Sequence, residues 1–173
     1  LTVEKDGSGD YTVIQDAIDA ADAGDTIQIG PGVFEEYEFA WNNGQWDVYA
    51  CALVTVSDLT LQGSGQGESI IGMPTLDDHP DTDITGISMI EEGRLKVHGI
   101  SVRGVDTGVY FYSSDLEVST CEFTGCNGGV LSWGWGSNRI EDALFHDNVG
   151  SDLHLTESSE NVVIVGCTFE DSR

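Results

Sequence analysis

The stretch from Gly108 to Ser172 writes one short unit three times. The first copy runs Val109-Tyr110-Phe111-Tyr112, Leu116-Glu117-Val118 and Cys121-Glu122-Phe123. The second runs Val130-Leu131-Ser132-Trp133, Arg139-Ile140 and Ala143-Leu144-Phe145, and the third Leu153-His154-Leu155, Val162-Val163-Ile164 and Cys167-Thr168-Phe169. Phe123 and Phe145 lie 22 residues apart, Phe145 and Phe169 lie 24 apart. A period of this size is the mark of a solenoid, in which no unit can bury its apolar side alone and neighbours must stack. Each unit holds three alternating apolar runs separated by Gly, Ser, Asn or Asp, so each supplies one strand to each of three sheets. The fold class that follows is all-β: a right-handed parallel β-helix of about six coils, with the handedness set by the rule for parallel crossovers.

The N-terminal part reads as the lid of that stack. Thr12 or Asp10 can cap a helix whose apolar positions are Val13, Ile14, Ala17, Ile18 and Ala21, and Gly24 stops it. Laid over the first coil, this helix blunts the open strand edges and the apolar end of the solenoid. A strand Thr26–Ile29 follows, closed by Gly30-Pro31-Gly32. The domain plan is one domain over 1–173: cap and first coil in 1–36, inserted loops at 37–50 and 73–85, regular coils over 86–172. Twenty-two glycines against 3 prolines suit a chain of many tight corners.

Stacking the copies gives columns. Ile100, Cys121, Ala143 and Cys167 share one inward position; Val102, Phe123, Phe145 and Phe169 share a second; Val97, Val118, Ile140 and Ile164 share a third. Outside the middle run, Lys96, Glu117 and Arg139 fall in register as a ladder of alternating sign. Cys121 and Cys167 are two rungs apart, roughly 9–10 Å, too far for a disulfide, so the cysteines read as small buried hydrophobes.

The first run of each unit carries the functional lead. With Val109, Phe111 and their equivalents inward, one outward column is Ser88, Tyr110, Leu131, His154 and the other Ile90, Tyr112, Trp133, Thr156, with Trp135 in the following corner. Aromatic rings in a row on a flat sheet suit stacking against a sugar chain. Two arrangements are open at this point. The face is exposed as a binding surface, or the loop holding Trp41 and Trp46 lies over it.

Charge narrows the partners. Six Lys plus Arg against 31 Asp plus Glu give a net charge of −25, which repels nucleic acid and anionic membranes. The same balance predicts a halophilic protein, more stable at high salt where screening removes self-repulsion. The densest acidic cluster, Asp77, Asp78, Asp81 and Asp83 around His79, offers oxygen ligands for Ca2+ but matches no Ca2+-loop spacing, and a solvated loop is the expected state. No cofactor is expected. No Ser/His/Asp set, phosphate loop or zinc motif is visible either.

Lys5-Asp6-Gly7-Ser8-Gly9-Asp10-Tyr11, Ile14-Gln15-Asp16-Ala17-Ile18-Asp19-Ala20 and Gly30-Pro31-Gly32-Val33-Phe34-Glu35-Glu36 resemble the first turn of the pectin lyase-like superfamily, above all the opening of pectin methylesterases. Leu59-Thr60-Leu61-Gln62-Gly63-Ser64-Gly65 with Ser69-Ile70-Ile71 is similar to the next piece. The later repeats resemble the carbohydrate-binding and sugar-hydrolase repeats of NosD-type proteins. The resemblance implies a polysaccharide-active relative at the cell surface or outside the cell, although no signal peptide opens the given sequence, whose Leu1-Thr2-Val3 already reads as strand. Counterparts of the esterase aspartates and arginine do not follow the opening. Arg103, with Asp106 near it, is the arginine placed where a lyase-like chemistry needs one. The leading expectation is therefore carbohydrate recognition through Tyr110, Tyr112, Trp133, Trp135, His154 and Arg103, with polysaccharide or oligosaccharide as partner. The alternatives are a lyase, esterase or hydrolase of pectin-like substrate, and an assembly protein that dimerises through an open C-terminal coil.

Overall fold

The structure, a computed structural model, describes residues 1–76, 83–112, 115–156 and 161–172. The chain opens with β1 (Thr2–Val3) and α1 (Ile14–Asp19), and its first coil holds β2 (Thr26–Ile29), β3 (Gly32–Phe34), β4 (Glu38–Asn42) and β5 (Asp47–Val54). The second coil is β6 (Leu59–Gly63), β7 (Ser69–Gly72) and β8 (Asp83–Met89); the third is β9 (Arg94–His98), β10 (Ser101–Arg103) and β11 (Thr107–Tyr112). Then come β12 (Asp115–Ser119), β13 (Glu122–Thr124) and β14 (Gly128–Trp133), followed by β15 (Ser137–Glu141), β16 (Leu144–His146) and β17 (Leu153–Thr156). β18 (Asn161–Val165) and β19 (Thr168–Glu170) start a further coil. The first sheet runs β1-β2-β6-β9-β12-β15-β18, the second β3-β7-β10-β13-β16-β19 and the third β4-β5-β8-β11-β14-β17. Neighbouring coils pair in parallel, with β4–β5 as the antiparallel exception. This is a right-handed parallel β-helix.

The core columns stand in the expected register. Val102 faces Phe123, Phe123 faces Phe145 and Phe145 faces Phe169 across the second sheet. The phenyl rings stack at 4.9 and 5.0 Å with interplanar angles of 12° and 7°. That stack has a requirement on the third sheet, where Gly86, Gly108 and Gly129 form a column that the strand pairing skips. A Cβ on Gly108 would come within 2.7 Å of Phe123 Cδ1, and one on Gly129 within 2.8 Å of Phe145 Cδ1. Gly108 and Gly129 answer the ring stack, and Gly86 answers Val102 at the head of the same column. The two tight corners instead need left-handed backbone. Gly99, Thr120, Asp142 and Gly166 take φ of 63°, 49°, 50° and 68° at the first corner; Gly104, Gly125, Asp147 and Asp171 take 59°, 60°, 56° and 52° at the second. Gly and Asp tolerate this region and a β-branched Thr does so under strain, which makes Thr120 the odd member.

The cysteines are free, and Cys51, Cys121 and Cys126 are buried. Burial pushes the Cys51 and Cys121 thiols up to about 12 and that of Cys126 up to about 11. At Cys121 the thiol points to Ser119 O at 3.3 Å and Val97 O at 3.5 Å, so it serves as a small core residue with a weak donor.

Four expectations need correction. The segment 37–50 is not a loop: β4 and β5 form a hairpin, because Phe39, Trp41 and Val48 favour strand and Asn43-Gly44 makes the turn. Asn43 Oδ1 accepts the Gln45 and Trp46 amides at 3.0 and 2.8 Å, and Gly44 sits at φ +92°. The insertion at 73–85 ends earlier than expected, since β8 begins at Asp83. Neither Thr12 nor Asp10 caps α1. Val13 holds the cap position without a side-chain hydrogen bond, and Asp10 Oδ2 accepts Thr2 N and Oγ1, each at 2.9 Å. The helix ends at Asp19, before Gly24, which lies at φ +93° in the turn closed by Asp25 N donating to Asp22 O.

The lid itself stands. Ile14, Ala17 and Ile18 are buried in the core cluster, and α1 packs on β5, β1 and β2. Gln15, also buried, closes a strand edge that β4 does not reach. Its amide accepts Leu53 N–H at 2.8 Å and donates to Leu53 O at 3.1 Å. Among the described residues no helix is long and apolar enough to cross a membrane.

Candidate functional site

The outward face of the third sheet is built by strand alternation. Tyr110 pairs with Ser88 and Leu131, Leu131 with His154, Tyr112 with Trp133, and Trp133 with Thr156. Both columns therefore stand in the expected register except at Ile90, which lies past the end of β8. The hairpin decides how much of them is open. Trp41 leans over Tyr110 with ring centroids 5.0 Å apart, and Ser88 beneath is fully buried. Burial and the neighbouring Tyr112 raise the pKa of Tyr110. Trp46 is 56% exposed at the hairpin turn, so the lid is Trp41 alone.

Beyond that lid the face is open: Tyr112 is 50% exposed, Trp133 39% and Trp135 67%. Trp133 stacks on His154 with centroids 6.2 Å apart and planes 18° from parallel. The stack holds both rings in place on consecutive coils. Two crevices flank Leu131. One of about 190 Å3 is lined by Trp41, Asn43, Asp83 and Thr107; the other of about 220 Å3 is lined by Asp106, Asn127, Ser151 and His154. Aromatic area beside shallow polar crevices is the make-up of a sugar-contact surface.

Arg103 does not join this face. It ends β10 on the second sheet, in register with Thr124 of the next coil, and its Nε is buried with no hydrogen-bond partner among the described residues. Asp106, expected beside it, turns to the third sheet, where Oδ2 accepts Ile84 N at 2.8 Å. The acids nearest the aromatic face also have structural partners. Asp115 Oδ1 accepts Ser137 N at 2.9 Å, and Asp152 Oδ1 accepts Asn148 Nδ2 at 2.8 Å. Asp77, Asp78 and Asp81 lie outside the described residues, and Asp83 opens β8 beside Trp41. Among the described residues no group of three or more His, Cys, Asp or Glu side chains is placed to hold a metal ion.

The charge ladder forms only in part. Lys96 pairs with Glu117 at 3.0 Å, but Arg139 turns along its own strand to Glu141. A neighbour of unlike charge two residues away competes with the rung above, which a column alignment does not show.

Two polar arrangements were not anticipated. At the first corner, Gln62, Ser64, Gln66, His98, Thr120 and Asp142 line a groove of about 380 Å3. His98 Nδ1 meets Ser119 Oγ at 2.8 Å and Thr120 Oγ1 at 3.1 Å, while Gln66 Nε2 reaches Cys121 O at 2.9 Å. Outside the second sheet, Ser101 Oγ donates to Glu122 Oε2 at 2.5 Å, Glu122 Oε1 meets His146 Nε2 at 3.0 Å, and His146 Nδ1 meets Asp147 Oδ2 at 2.9 Å. Burial lowers the His146 pKa, but its bonds to Asp147 and Glu122 outweigh this and the net shift is upward. Continuing the column alignment into the corners would have found both, since His98 aligns with Ser119 and Thr124 with His146.

The comparisons agree with the repeat. The family described as right handed beta helix region matches residues 85–173, half of the chain. No curated protein matches the sequence. The chain belongs to the right handed beta helix region family.

Proposed function

We propose that this protein recognises carbohydrate along the outward face of the third sheet. The observation that carries the reading is the exposure of Tyr112, Trp133 and Trp135 on one side of consecutive coils, with Trp133 fixed by its stack on His154. Aromatic rings held rigid lose little entropy when a sugar ring lies against them. In this reading the protein is a binder rather than a hydrolase. Asp106, Asp115 and Asp152 around the face hold backbone or side-chain donors, and among the described residues they do not form a pair across an open cleft of the kind glycosidases require. The pectin lyase-like opening supports a polysaccharide as the ligand and a place at or outside the cell surface. The test is a glycan array with the full chain and its Tyr112→Ala and Trp133→Ala variants. Binding that weakens at least tenfold in either variant supports the proposal; a chain that binds no glycan ends it, and release of unsaturated uronate or methanol from pectin would establish an enzyme instead.

A further inference from the structure

The tight corner between the first and second sheets departs from its own repeat on the second coil. From the third coil onward two residues turn it: Gly99-Ile100, Thr120-Cys121, Asp142-Ala143 and Gly166-Cys167 each link a first-sheet strand to a second-sheet strand. The second coil uses the longer run Ser64 to Glu68 between β6 and β7. Insertions into a solenoid gather on its working surfaces. This one folds forward over its neighbours, with Gly67 N donating to Ser101 Oγ at 2.7 Å and Gln66 Nε2 to Cys121 O at 2.9 Å, two coils on. Between it and the corners at Thr120 and Asp142 lies the groove of about 380 Å3. Gly63, Gly65 and Gly99 line it without side chains, which keeps it recessed.

We propose that this groove is a ligand site in its own right, separate from the third-sheet face, and that it takes a neutral polyhydroxylated molecule such as a single sugar residue or a polyol. Its side chains are the carboxamides of Gln62 and Gln66, the Ser64 hydroxyl, the His98 imidazole, the Thr120 hydroxyl and the Asp142 carboxylate. Donors and acceptors are mixed there, and a ligand hydroxyl, being both, can satisfy either kind. Among the described residues the lining has no aromatic or large aliphatic side chain for an apolar ligand and no Lys or Arg for an anion. It has one carboxylate, too few oxygens of that kind for a bare divalent cation. His98 is fixed in place: Ser119 Oγ meets Nδ1 at 2.8 Å, and Thr120 Oγ1 lies 3.1 Å from Nδ1 and 3.3 Å from Nε2. Thr120 does this from left-handed backbone, φ 49°, where the equivalent corners hold Gly99, Asp142 and Gly166. A β-branched residue kept there despite the strain marks a side chain that is used. Asp142 has room made for it, since a Cβ on Gly166 would lie 2.1 Å from Asp142 Oδ1. His98 and Asp142 thus contact the ligand, and Thr120 is a positioning residue.

The test follows the amide signals of the isotope-labelled full chain by NMR while glucose, galactose, mannose and glycerol are added separately, with inorganic phosphate and Ca2+ as charged counterparts. A neutral probe is expected to move the side-chain amides of Gln62 and Gln66 and the backbone amides of Gly65, Gly99 and Thr120, saturating in the millimolar range that suits an open groove. His98→Ala and Asp142→Asn each weaken that binding by about tenfold or more, and Asn keeps the left-handed corner. Thr120→Ser, which retains the hydroxyl, keeps the affinity. Thr120→Gly loses it to a similar degree without lowering Tm, a split that a merely structural threonine would not give. The indole signals of Trp133 and Trp135 report the third sheet separately, so the two sites stand or fall independently. The proposal is overturned if no neutral probe moves the groove signals in the tens of millimolar, if phosphate or Ca2+ moves them more, or if affinity is unchanged in both His98→Ala and Asp142→Asn.

Discussion

The ring stack and the glycine column make a sharp prediction at Gly129. Its backbone is outside the left-handed region, so an alanine there has no torsional cost, and its effect is steric alone. The added Cβ would lie 2.4 Å from Asp152 O and 2.8 Å from Phe145 Cδ1. Neither neighbour yields easily. Asp152 O already accepts Val130 N at 2.9 Å, and Phe145 is clamped between Phe123 and Phe169. Overpacking of this kind costs about 1–3 kcal/mol, offset by about 0.4–1 kcal/mol from the stiffer unfolded chain. With a backbone oxygen as the closest contact, a net loss of about 2 kcal/mol is expected, or about 4–8 °C in Tm for a chain of this size. Gly125 supplies the control. It sits at φ +60° with nothing within 4 Å of an added Cβ, so Gly125→Ala costs only the left-handed conformation, about 1–2 kcal/mol. Gly125→Asn should come close to wild type, as Asp147 and Asp171 hold the equivalent corners. Urea unfolding of a double-mutant cycle separates the mechanisms: Gly129→Ala couples to Phe145→Leu by more than 0.5 kcal/mol, and Gly125→Ala does not. A neutral Gly129→Ala, or equal coupling at both glycines, would refute the steric account.

Other expectations follow from the same coordinates. His146 has a raised folded pKa, so its bonds stabilise fully below about pH 6.5, the ordinary imidazole value, and this is lost as pH rises through the folded value. The Tm difference between wild type and His146→Gln should accordingly be larger at pH 6 than at pH 8.5; a constant gap contradicts it. Gln15→Ala leaves Leu53 N–H and C=O without their partners and should cost about 1–3 kcal/mol in denaturant unfolding. With a net charge of −25, Tm should climb between 0.1 and 3 M NaCl, and a flat profile argues against salt adaptation.

The legible part of this sequence was what repeats. Phe123, Phe145 and Phe169 fixed a period, the period fixed the register, and the register placed Tyr110 with Leu131 and Tyr112 with Trp133. What failed was local and non-repeating. The hairpin of β4 and β5 carried its signal in Asn43-Gly44 between strand-forming residues, but it interrupts the solenoid and reads as an insertion. Asp10 looks like a helix cap by spacing, yet Thr2 offers it two donors from β1, and a tertiary partner outcompetes a local one. Arg139 left its ladder for Glu141 for the opposite reason, a partner closer in sequence.

The glycine column shows why function was harder to read than fold. Gly86, Gly108 and Gly129 recur at the coil period and look like turn punctuation, but Gly108 and Gly129 make room for rings on a different sheet and Gly86 for Val102 in the same column. Inward positions are answered by inward positions, so repetition exposes them. Outward positions have no such constraint: Ser88, Tyr110, Leu131 and His154 share one column and no chemistry. Selection for a ligand shows there as a departure from the repeat. Third-sheet strands without a Lys or Arg and aromatics gathered beyond Trp41 are two such departures on one face. Neither is needed by the stack of coils, whose apolar columns are buried beneath them. Surface that the fold does not need, differing in both charge and ring content from the other two sheets, is where binding energy is available to a partner.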